Sequence, residues 1–583
     1  MEKQEDDFSF KDYFVPLTNF KAISWITFIG LVVYLNSLFN GFIGDDYSQL
    51  VNNNVVHSIT NFFLFFTGST FSRAGSTALN GIYYKPLLSV VYSILFTFFG
   101  NTAFIYHILQ LLLHIGNSIL LFLIVKKLLK NEIAFGIALI FLIHPINNES
   151  VVYISALQET LFLFFGLVAL KLVQQKGSSI YRSFTITLCL LFSLLSKETG
   201  ILFLIMLPVY TLLFYRKWKL ALLQSGIAIT IYLLLRFFIG HVFINQNSAN
   251  IPFNHTSLLE KFVNFPAIAF FYIKAFFFPY DLISNQRWII HTLDFHSFYI
   301  PLILDICFFV VLVVFGWAIY LKKKSSIKLF AFFALWFLIG MGINLQIIPL
   351  DFTTSDRWFY FPIIGLLGML GVVFHIFHLK DKRIILTSII GSCLIIFIFG
   401  IRDIVRNSNW QDNLTLYQHD MKYGVNDYTF QLEYATELSN HGNQNEAKQH
   451  ILSSISLRPG VLNWTILGLI YARQHKLEQA KNALRTALTY DNNYYFTNIT
   501  LAKLLTAYDD PKSTIPFLKQ VLSKYPNDSM TWVYLAIEEY KIGNRNEALQ
   551  AVRKSSDIQL SPESKYVYFH IINNQPIDAN FEF

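Results

Sequence analysis

Two adjacent carboxylates, Asp45 and Asp46, stand in the stretch Gly-Phe-Ile-Gly-Asp-Asp-Tyr-Ser-Gln-Leu at 41–50, directly after an apolar segment. Desolvating a carboxylate at mid-bilayer costs about 2.5–3.5 kcal/mol, and less at the interface. The pair reads either as a solvated loop start or as a retained chemical group able to take a proton or hold a ligand. More ionisable residues sit at the ends of other apolar segments. Tyr83-Tyr84-Lys85-Pro86-Leu87 opens one, and His144-Pro145-Ile-Asn-Asn-Glu149 closes another. Ser196-Lys197-Glu198-Thr199-Gly200 lies at a junction, Ser355-Asp356-Arg357-Trp358 enters a further segment, and Arg236 stands near a boundary. Singly, each has an ordinary reading: Lys197 with Glu198 as an ion pair, His144 as a cap, Arg236 as a snorkelling residue. Together, on one face of a membrane, they are the set that an interfacial active site needs.

The elements that must carry these residues follow from composition. Of 583 residues, 54% are hydrophobic and only 14% charged, with a mean hydropathy of +0.45. Soluble domains carry about 25% charged residues, so this is a polytopic membrane chain. The 59 phenylalanines fit an AT-rich coding bias and are no lipid-binding signal. Cys189, Cys307 and Cys393 lie inside apolar segments, which excludes a disulfide framework or zinc site. The formal charge of +8 sits in clusters beside apolar segments, a pattern of topology and not of nucleic-acid binding. The acidic start, Met1 to Asp7, and the absence of a small-residue cleavage site predict no cleavable signal.

A spanning helix takes roughly 20 apolar residues. Candidates run over 22–39, 103–125, 132–145, 151–174, 183–197, 199–215, 219–239, 299–321, 327–345, 358–377 and 384–401. The basic clusters Lys126/Lys127/Lys130, Lys171/Lys176/Arg182, Arg216/Lys217/Lys219, Lys322/Lys323/Lys324/Lys328 and Lys380/Lys382/Arg383 fix the orientation. They share one side only if the shorter apolar stretches 86–99 and 264–279 lie at the outer interface without crossing. This gives about 11 spans, a cytoplasmic N-terminus and an extracytoplasmic C-terminus. The outer face then collects 40–102, His144 to Ser150, 240–298 and 346–357. The sequons at Asn148, Asn254, Asn413, Asn463, Asn498 and Asn527 fall outside too.

After Ile401 the composition turns polar and a period of about 34 emerges. Ala447, Ala480, Thr514 and Ala548 are spaced by 33, 34 and 34 residues. Trp464, Leu467, Gly468 and Tyr471 are echoed by Trp532, Leu535, Ala536 and Tyr540, with turns at Pro459, Asn492, Pro526 and Pro562. This is the signature of three or four tetratricopeptide units. Their concave surface commonly takes an extended peptide, and a spacer or dimerisation element is the alternative. The expected architecture is all-α: a multi-span domain over 1–401, then an extracytoplasmic helical-repeat domain over 402–583.

In this order, the motifs resemble those of the transmembrane and tetratricopeptide-repeat O-mannosyltransferases, relatives of the protein O-mannosyltransferases with the GT-C glycosyltransferase fold. The resemblance runs through the acidic pair (Asp45, Asp46), Lys85-Pro86-Leu87, the helix residues His107, His114 and Asn117, and His144-Pro145…Glu149. It continues through Ser196 to Gly200, Asp356, Arg357, Tyr360 and Pro362, and the junction Arg406…Trp410-x-Asp412. Three positions depart from the pattern: Asn147 for a second His, Asp356 for Glu, and Lys85 for Arg.

The resemblance implies transfer of a mannose-like sugar from a polyprenyl-phosphate carrier to a protein hydroxyl, with inversion, on the extracytoplasmic face. The membrane would be the bacterial plasma membrane, or that of the endoplasmic reticulum in a eukaryote. Inversion in one displacement needs a base and no covalent intermediate. Asp45 is the first choice for it, with Asp46 positioning the acceptor or an optional metal and Glu149 assisting; which aspartate takes the proton stays open. Arg357 is the first choice for the donor phosphate. Lys85, Arg236, His144, Lys197, Glu198 and Asp356 complete the donor-side set. No cofactor is required, and the partners are the lipid-linked sugar, membrane lipid and a protein acceptor held by the repeats. A non-catalytic scaffold that recruits partners through its repeats and a transporter of lipid-linked glycans are the alternatives.

Overall fold

In hydrocarbon a backbone can satisfy its polar groups internally only as a helix or a closed barrel, and the long apolar runs here all become helices. The computed structural model describes residues 17–70, 83–177, 179–243, 252–253, 256–377, 382–424 and 427–577. The acidic start, Lys380 and the sequon residue Asn254 lie outside them, as do parts of the outer segments 40–102 and 240–298. Within them the chain is all-α apart from two paired two-residue strands, Asn285–Gln286 and Thr354–Ser355.

Among the described residues seven helices are long and apolar enough to cross a membrane: Asn19–Phe39, Ala103–Val125, Ile154–Val173, Trp218–Ile239, Phe295–Lys322, Lys324–Asn344 and Leu386–Asn409. The expected span at 132–145 is the first arm of a bent pair, Asn131–Ile143 and Pro145–Val152, broken by 50°. Pro145 lacks the N–H that would continue the ladder and holds His144 extended, with ψ at 121°, so the chain turns there. The expected spans at 183–197, 199–215 and 358–377 are the shorter apolar helices Ile180–Ser196, Glu198–Phe214 and Pro362–Ile376. The stretch at 264–279, read as short and interrupted, instead belongs to an unbroken 20-residue helix, Leu258–Phe277. A capping box between Ser257 and Glu260 starts it early, and Pro266 stands within it.

Small residues let these helices approach closely. A Cβ on Gly365 would stand 2.5 Å from the Phe337 amide nitrogen and 2.7 Å from the Phe333 carbonyl oxygen. That contact seats Pro362–Ile376 against Lys324–Asn344 and so fixes the loop between them, 345–361, which carries Arg357.

The chain divides into two compact units, Met1–Tyr423 and Gly424–Phe583. The division lies beyond Ile401 because the last long helix continues to Asn409 and the segment after it folds back on the first unit. There the Gly41 N–H donates to the Gln411 carbonyl (3.0 Å) and the Gly44 N–H to Asn413 Oδ1 (2.9 Å). The second unit consists of helix pairs in succession: Tyr428–Asn440 with Gln444–Leu457, Val461–Arg473 with Leu477–Tyr490, Tyr495–Tyr508 with Pro511–Lys524, and Ser529–Lys541 with Arg545–Ile558. Pro562–Ile572 follows. Ala447, Ala480, Thr514 and Ala548 are all fully buried, each on the second helix of its pair.

Candidate active site

The acidic pair separates into two environments. Gly44 has a φ of +49°, and a Cβ there would lie 3.0 Å from the Tyr153 hydroxyl. Only glycine meets both demands, and it turns the next two side chains apart. Asp46 is wholly buried: its Oδ1 accepts from the Ser155 N–H (2.7 Å) and Oγ–H (2.6 Å), and its Oδ2 from the Ile43 N–H (3.0 Å). Burial pushes its carboxyl up to about 7, against the opposing pull of those hydrogen bonds. Asp45 is half-buried and tied only through its backbone, donating its N–H to the Tyr153 hydroxyl at 2.8 Å and accepting from Ser48 Oγ at 3.1 Å. Its carboxylate is left without a hydrogen-bond partner among the described residues.

Glu149 and Arg357 meet across 208 positions of sequence. Arg357 Nη1 donates to Glu149 Oε1 at 2.6 Å, the Arg357 N–H to Oε2 at 3.0 Å, and Ser355 Oγ to Oε2 at 3.1 Å. Glu149 was expected among the catalytic groups; its carboxylate is instead saturated by Arg357 and Ser355. Arg357, expected to bind phosphate with its full fork, has one guanidinium arm engaged by Glu149, while its Nε is buried and unpartnered. The guanidinium lies over the Tyr153 ring at 5.6 Å. Tyr153 therefore joins both halves of the site, holding Asp45 through its hydroxyl and Arg357 through its ring.

A second cluster lies at the start of the helix Pro86–Phe99. Lys85 is buried, its Nζ sits 4.1 Å from the Tyr83 ring centroid, and it has no ion-pair partner among the described residues. Burial pulls its ammonium down to about 8, with nearby Glu198 opposing the fall. Lys197 and Glu198, read as a pair from their adjacency, face different partners. Lys197 bonds Glu159, and Glu198 Oε1 accepts from Arg236 Nη1 (3.2 Å) and the Tyr84 N–H (2.8 Å). Arg236 also donates to the Tyr232 hydroxyl at 2.9 Å. The extended backbone at Lys197 (φ −160°, ψ 143°) sends the two side chains apart.

His144 and Asp356 were expected on the donor side. His144 is buried with both ring nitrogens in use. Nδ1 accepts from the Ile146 N–H (3.3 Å), so Nε2 carries the proton and donates to the Phe276 carbonyl (2.9 Å). It caps the bend at Pro145. Asp356 is buried beside Glu149 with Oδ1 unpartnered, and burial raises its carboxyl well above the ordinary range.

The sequence reading missed Tyr153, Glu159, Asp351 and Arg287. Asp351 Oδ2 accepts from the Tyr83 hydroxyl, its carbonyl accepts from Arg287 Nε (3.0 Å), and its Oδ1 is buried without a partner. Its carboxyl, raised by burial, lies within electrostatic range of both Lys85 and Asp45 and so connects the two clusters. Glu159 left a legible signal, a carboxylate in an otherwise apolar helix; Tyr153 left none. Among the described residues no group of three or more His, Cys, Asp and Glu side chains converges to hold a metal ion.

No protein-family model matches the chain. Over 96% of its length it is 22% identical to the human protein O-mannosyl-transferase TMTC3, covering 73% of that protein. Against the mouse protein of the same name it is 21% identical, with 96% and 72% covered. The Caenorhabditis elegans protein O-mannosyl-transferase F38B6.6 is 25% identical over 30% of this chain and 25% of its own. These relatives bear out the family resemblance that the ordered motifs carry.

Proposed function

We propose that this relative of the protein O-mannosyl-transferases is itself a glycosyltransferase acting on protein. It moves a hexose, mannose by kinship, from a polyprenyl phosphate to an acceptor hydroxyl on the extracytoplasmic face. The observation that carries this reading is the separation of Asp45 from Asp46: one carboxylate has no hydrogen-bond partner among the described residues and lies within electrostatic range of the buried Arg357.

Asp45 takes the proton of the acceptor hydroxyl as its oxygen attacks the anomeric carbon. The bond from that carbon to the phosphate oxygen breaks, the electron pair leaves with the polyprenyl phosphate, and the centre inverts. A phosphate leaving group needs cations more than a proton. Lys85 supplies a compact positive charge with no direct ion pair among the described residues, which favours it over Arg357 as the direct phosphate ligand. Arg357, held by Glu149, contributes its remaining donors from a fixed direction. Asp46 carries the turn that presents Asp45. The paired helices after Gly424, read as tetratricopeptide units, hold the acceptor polypeptide.

The test is transfer of radiolabelled sugar from polyprenyl phosphate to a serine- or threonine-bearing peptide by the purified protein. Asp45→Asn should lower incorporation by about 10²–10⁴-fold while the protein still purifies as a folded monodisperse species. Incorporation at the wild-type rate by that variant would sink the reading.

A further inference from the structure

The loop that carries Arg357 is held on one side by Tyr272, whose hydroxyl donates to the Ser355 carbonyl and accepts from its N–H, and by Gln346 within the loop, and on the other by a very short strand pair. Thr354–Ser355 pairs with Asn285–Gln286 in register Gln286↔Thr354 and Asn285↔Ser355, a ladder of two residues a side. Even a whole isolated two-stranded hairpin is marginal, so a ladder this short needs anchors at its ends. At one end the Thr353 hydroxyl donates to the Trp288 carbonyl (2.6 Å) and accepts from the Trp288 N–H (3.0 Å), while the Thr353 N–H donates to the Gln286 carbonyl (2.7 Å). At the other end stands Ser284, one residue before the strand, and its anchor comes from a distant part of the chain.

That anchor is Asp420. Its Oδ2 accepts from the Ser284 N–H at 3.0 Å and from Ser284 Oγ at 2.6 Å. Its Oδ1 is paired with Arg406 Nη1 at 3.3 Å, with the His419 ring nitrogen at 2.9 Å. Asp420 is completely buried, Arg406 and Ser284 nearly so. Although burial alone would raise the Asp420 carboxyl, Arg406, His419 and Ser284 together hold it below its ordinary value. A buried carboxylate accepting charge-assisted hydrogen bonds is a strong and directional tie. From Asp420 the contacts run without a gap through Ser284, the strand pair and Ser355 to Glu149 and Arg357.

We infer that Asp420, fixed by Arg406, is a positioning residue for the transfer site, setting the direction of the Glu149–Arg357 pair through Ser284 and the two short strands. The inference deepens the transferase reading and rests on it for its kinetic consequence. A positioning role makes a demand that mere structural support does not. Loss of the tie should loosen the strand pair selectively and lower transfer by protein that is still folded. Because both act on the same pair, Asp420 and Ser355 should also be energetically coupled.

The full-length protein in lipid nanodiscs tests this with two independent readouts. The first is hydrogen exchange. In Asp420→Ala, and more mildly in Ser284→Ala, the amides of 284–286 and 353–355 should exchange about tenfold faster, as expected for loss of a hydrogen bond to a charged group. Amides of the helix Ala103–Val125 should be unchanged. The second is transfer per folded molecule. It should fall about tenfold in Asp420→Ala and recover in Ser284→Thr, which keeps the hydroxyl, relative to Ser284→Ala. Adding Ser355→Ala to Asp420→Ala should cost less than the two single effects combined. Unchanged exchange at the strand pair, unchanged transfer per folded molecule, or strictly additive effects would each overturn the inference. If Asp420→Ala does not fold, Ser284→Ala carries the same comparison. If wild-type protein moves no sugar at all, the transferase reading fails, and the exchange data still decide whether the tie positions the pair.

Discussion

The two units of the chain differ in the residues that recur at their buried positions. In the first, Asp46, Glu149, Glu159, Arg357, Asp420 and Lys85 are all withdrawn from solvent at the helix ends and in the loops that follow them. In the second, the buried positions that repeat are small and mostly apolar, such as Ala447, Ala480, Ala548 and Gly468. Small buried residues bring helices close and need no function to explain them. Burying an ion pair is seldom the most stable choice, since apolar residues of the same volume would often serve as well. The first unit therefore gathers its buried charges around one site at a cost that stability does not explain, whereas the second buries only Glu538 and Glu539 among its described acids, each paired with a lysine, and repeats mainly small residues.

The largest break in that contrast should come from Asp45. It makes no side-chain contact that folding depends on, so Asp45→Asn is expected to leave thermal unfolding unchanged. Transfer should fall about 10²–10⁴-fold, the usual contribution of a positioned base. Asp46→Asn separates the two aspartates. It replaces an oxygen that accepts from Ser155 or Ile43 with an amide that donates, so it should lower stability and activity together. Measuring both variants for rate and unfolding checks whether the division of labour between the neighbours is real.

Next in size is the buried pair. Glu149→Gln leaves Arg357 charged and without its counterion, and breaking a buried pair from one side costs about 3–5 kcal/mol. The denaturation midpoint of the first unit should fall accordingly. Glu149→Gln with Arg357→Met should be milder than either change alone, because no uncompensated charge remains. A double variant worse than both singles would show that the pair is not the local source of stability.

Which of these relations could be read from the chain alone follows from how far apart the partners lie. Hydropathy is local, so the helices and the charged residues at their ends are visible in a single pass, and the period of Ala447, Ala480, Thr514 and Ala548 places successive helices. Pairings are not local. Lys197 and Glu198 invite each other by adjacency, yet an extended backbone sends one to Glu159 and the other to Arg236. Glu149 and Arg357 become partners only once a bend at Pro145 and a close helix contact at Gly365 have placed their loops. Tyr153 carries no charge and no motif, so its place between Asp45 and Arg357 could come only from the fold.

Lys85 gives a prediction in pH. Its ammonium, pulled down to about 8 by burial, is lost from the folded protein well before an ordinary lysine would be. If it holds the donor phosphate, donor KM should rise as pH passes upward through about 8 while kcat changes less. Stability should move the other way. Between about 8 and the ordinary lysine value the unfolded chain binds more protons than the folded one, so raising pH across that window stabilises the fold. Lys85→Arg keeps its charge throughout and should flatten the KM profile. A KM profile that stays the same in Lys85→Arg would remove Lys85 from the phosphate site.

The smallest effect expected lies in the second unit and tests the other half of the contrast. A Cβ on Gly468 would sit 2.7 Å from Leu484 Cγ and 3.3 Å from the Ala480 carbonyl oxygen. Both are closer than ordinary packing: the buried Leu484 has to give, and the backbone carbonyl has little room to, so Gly468→Ala should cost about 1–3 kcal/mol, the range of overpacking. The midpoint for the second unit, followed by Trp464 fluorescence, should fall, and amide exchange over 461–490 should rise. Sugar transfer to a short peptide should be untouched, since nothing ionisable has moved. Leu484→Ala alongside Gly468→Ala should relieve the clash but leave a cavity, so the double variant should unfold no later than Leu484→Ala alone. If Gly468→Ala instead lowered transfer as much as a charge substitution in the first unit, shape and chemistry would not be divided between the units as their buried residues indicate.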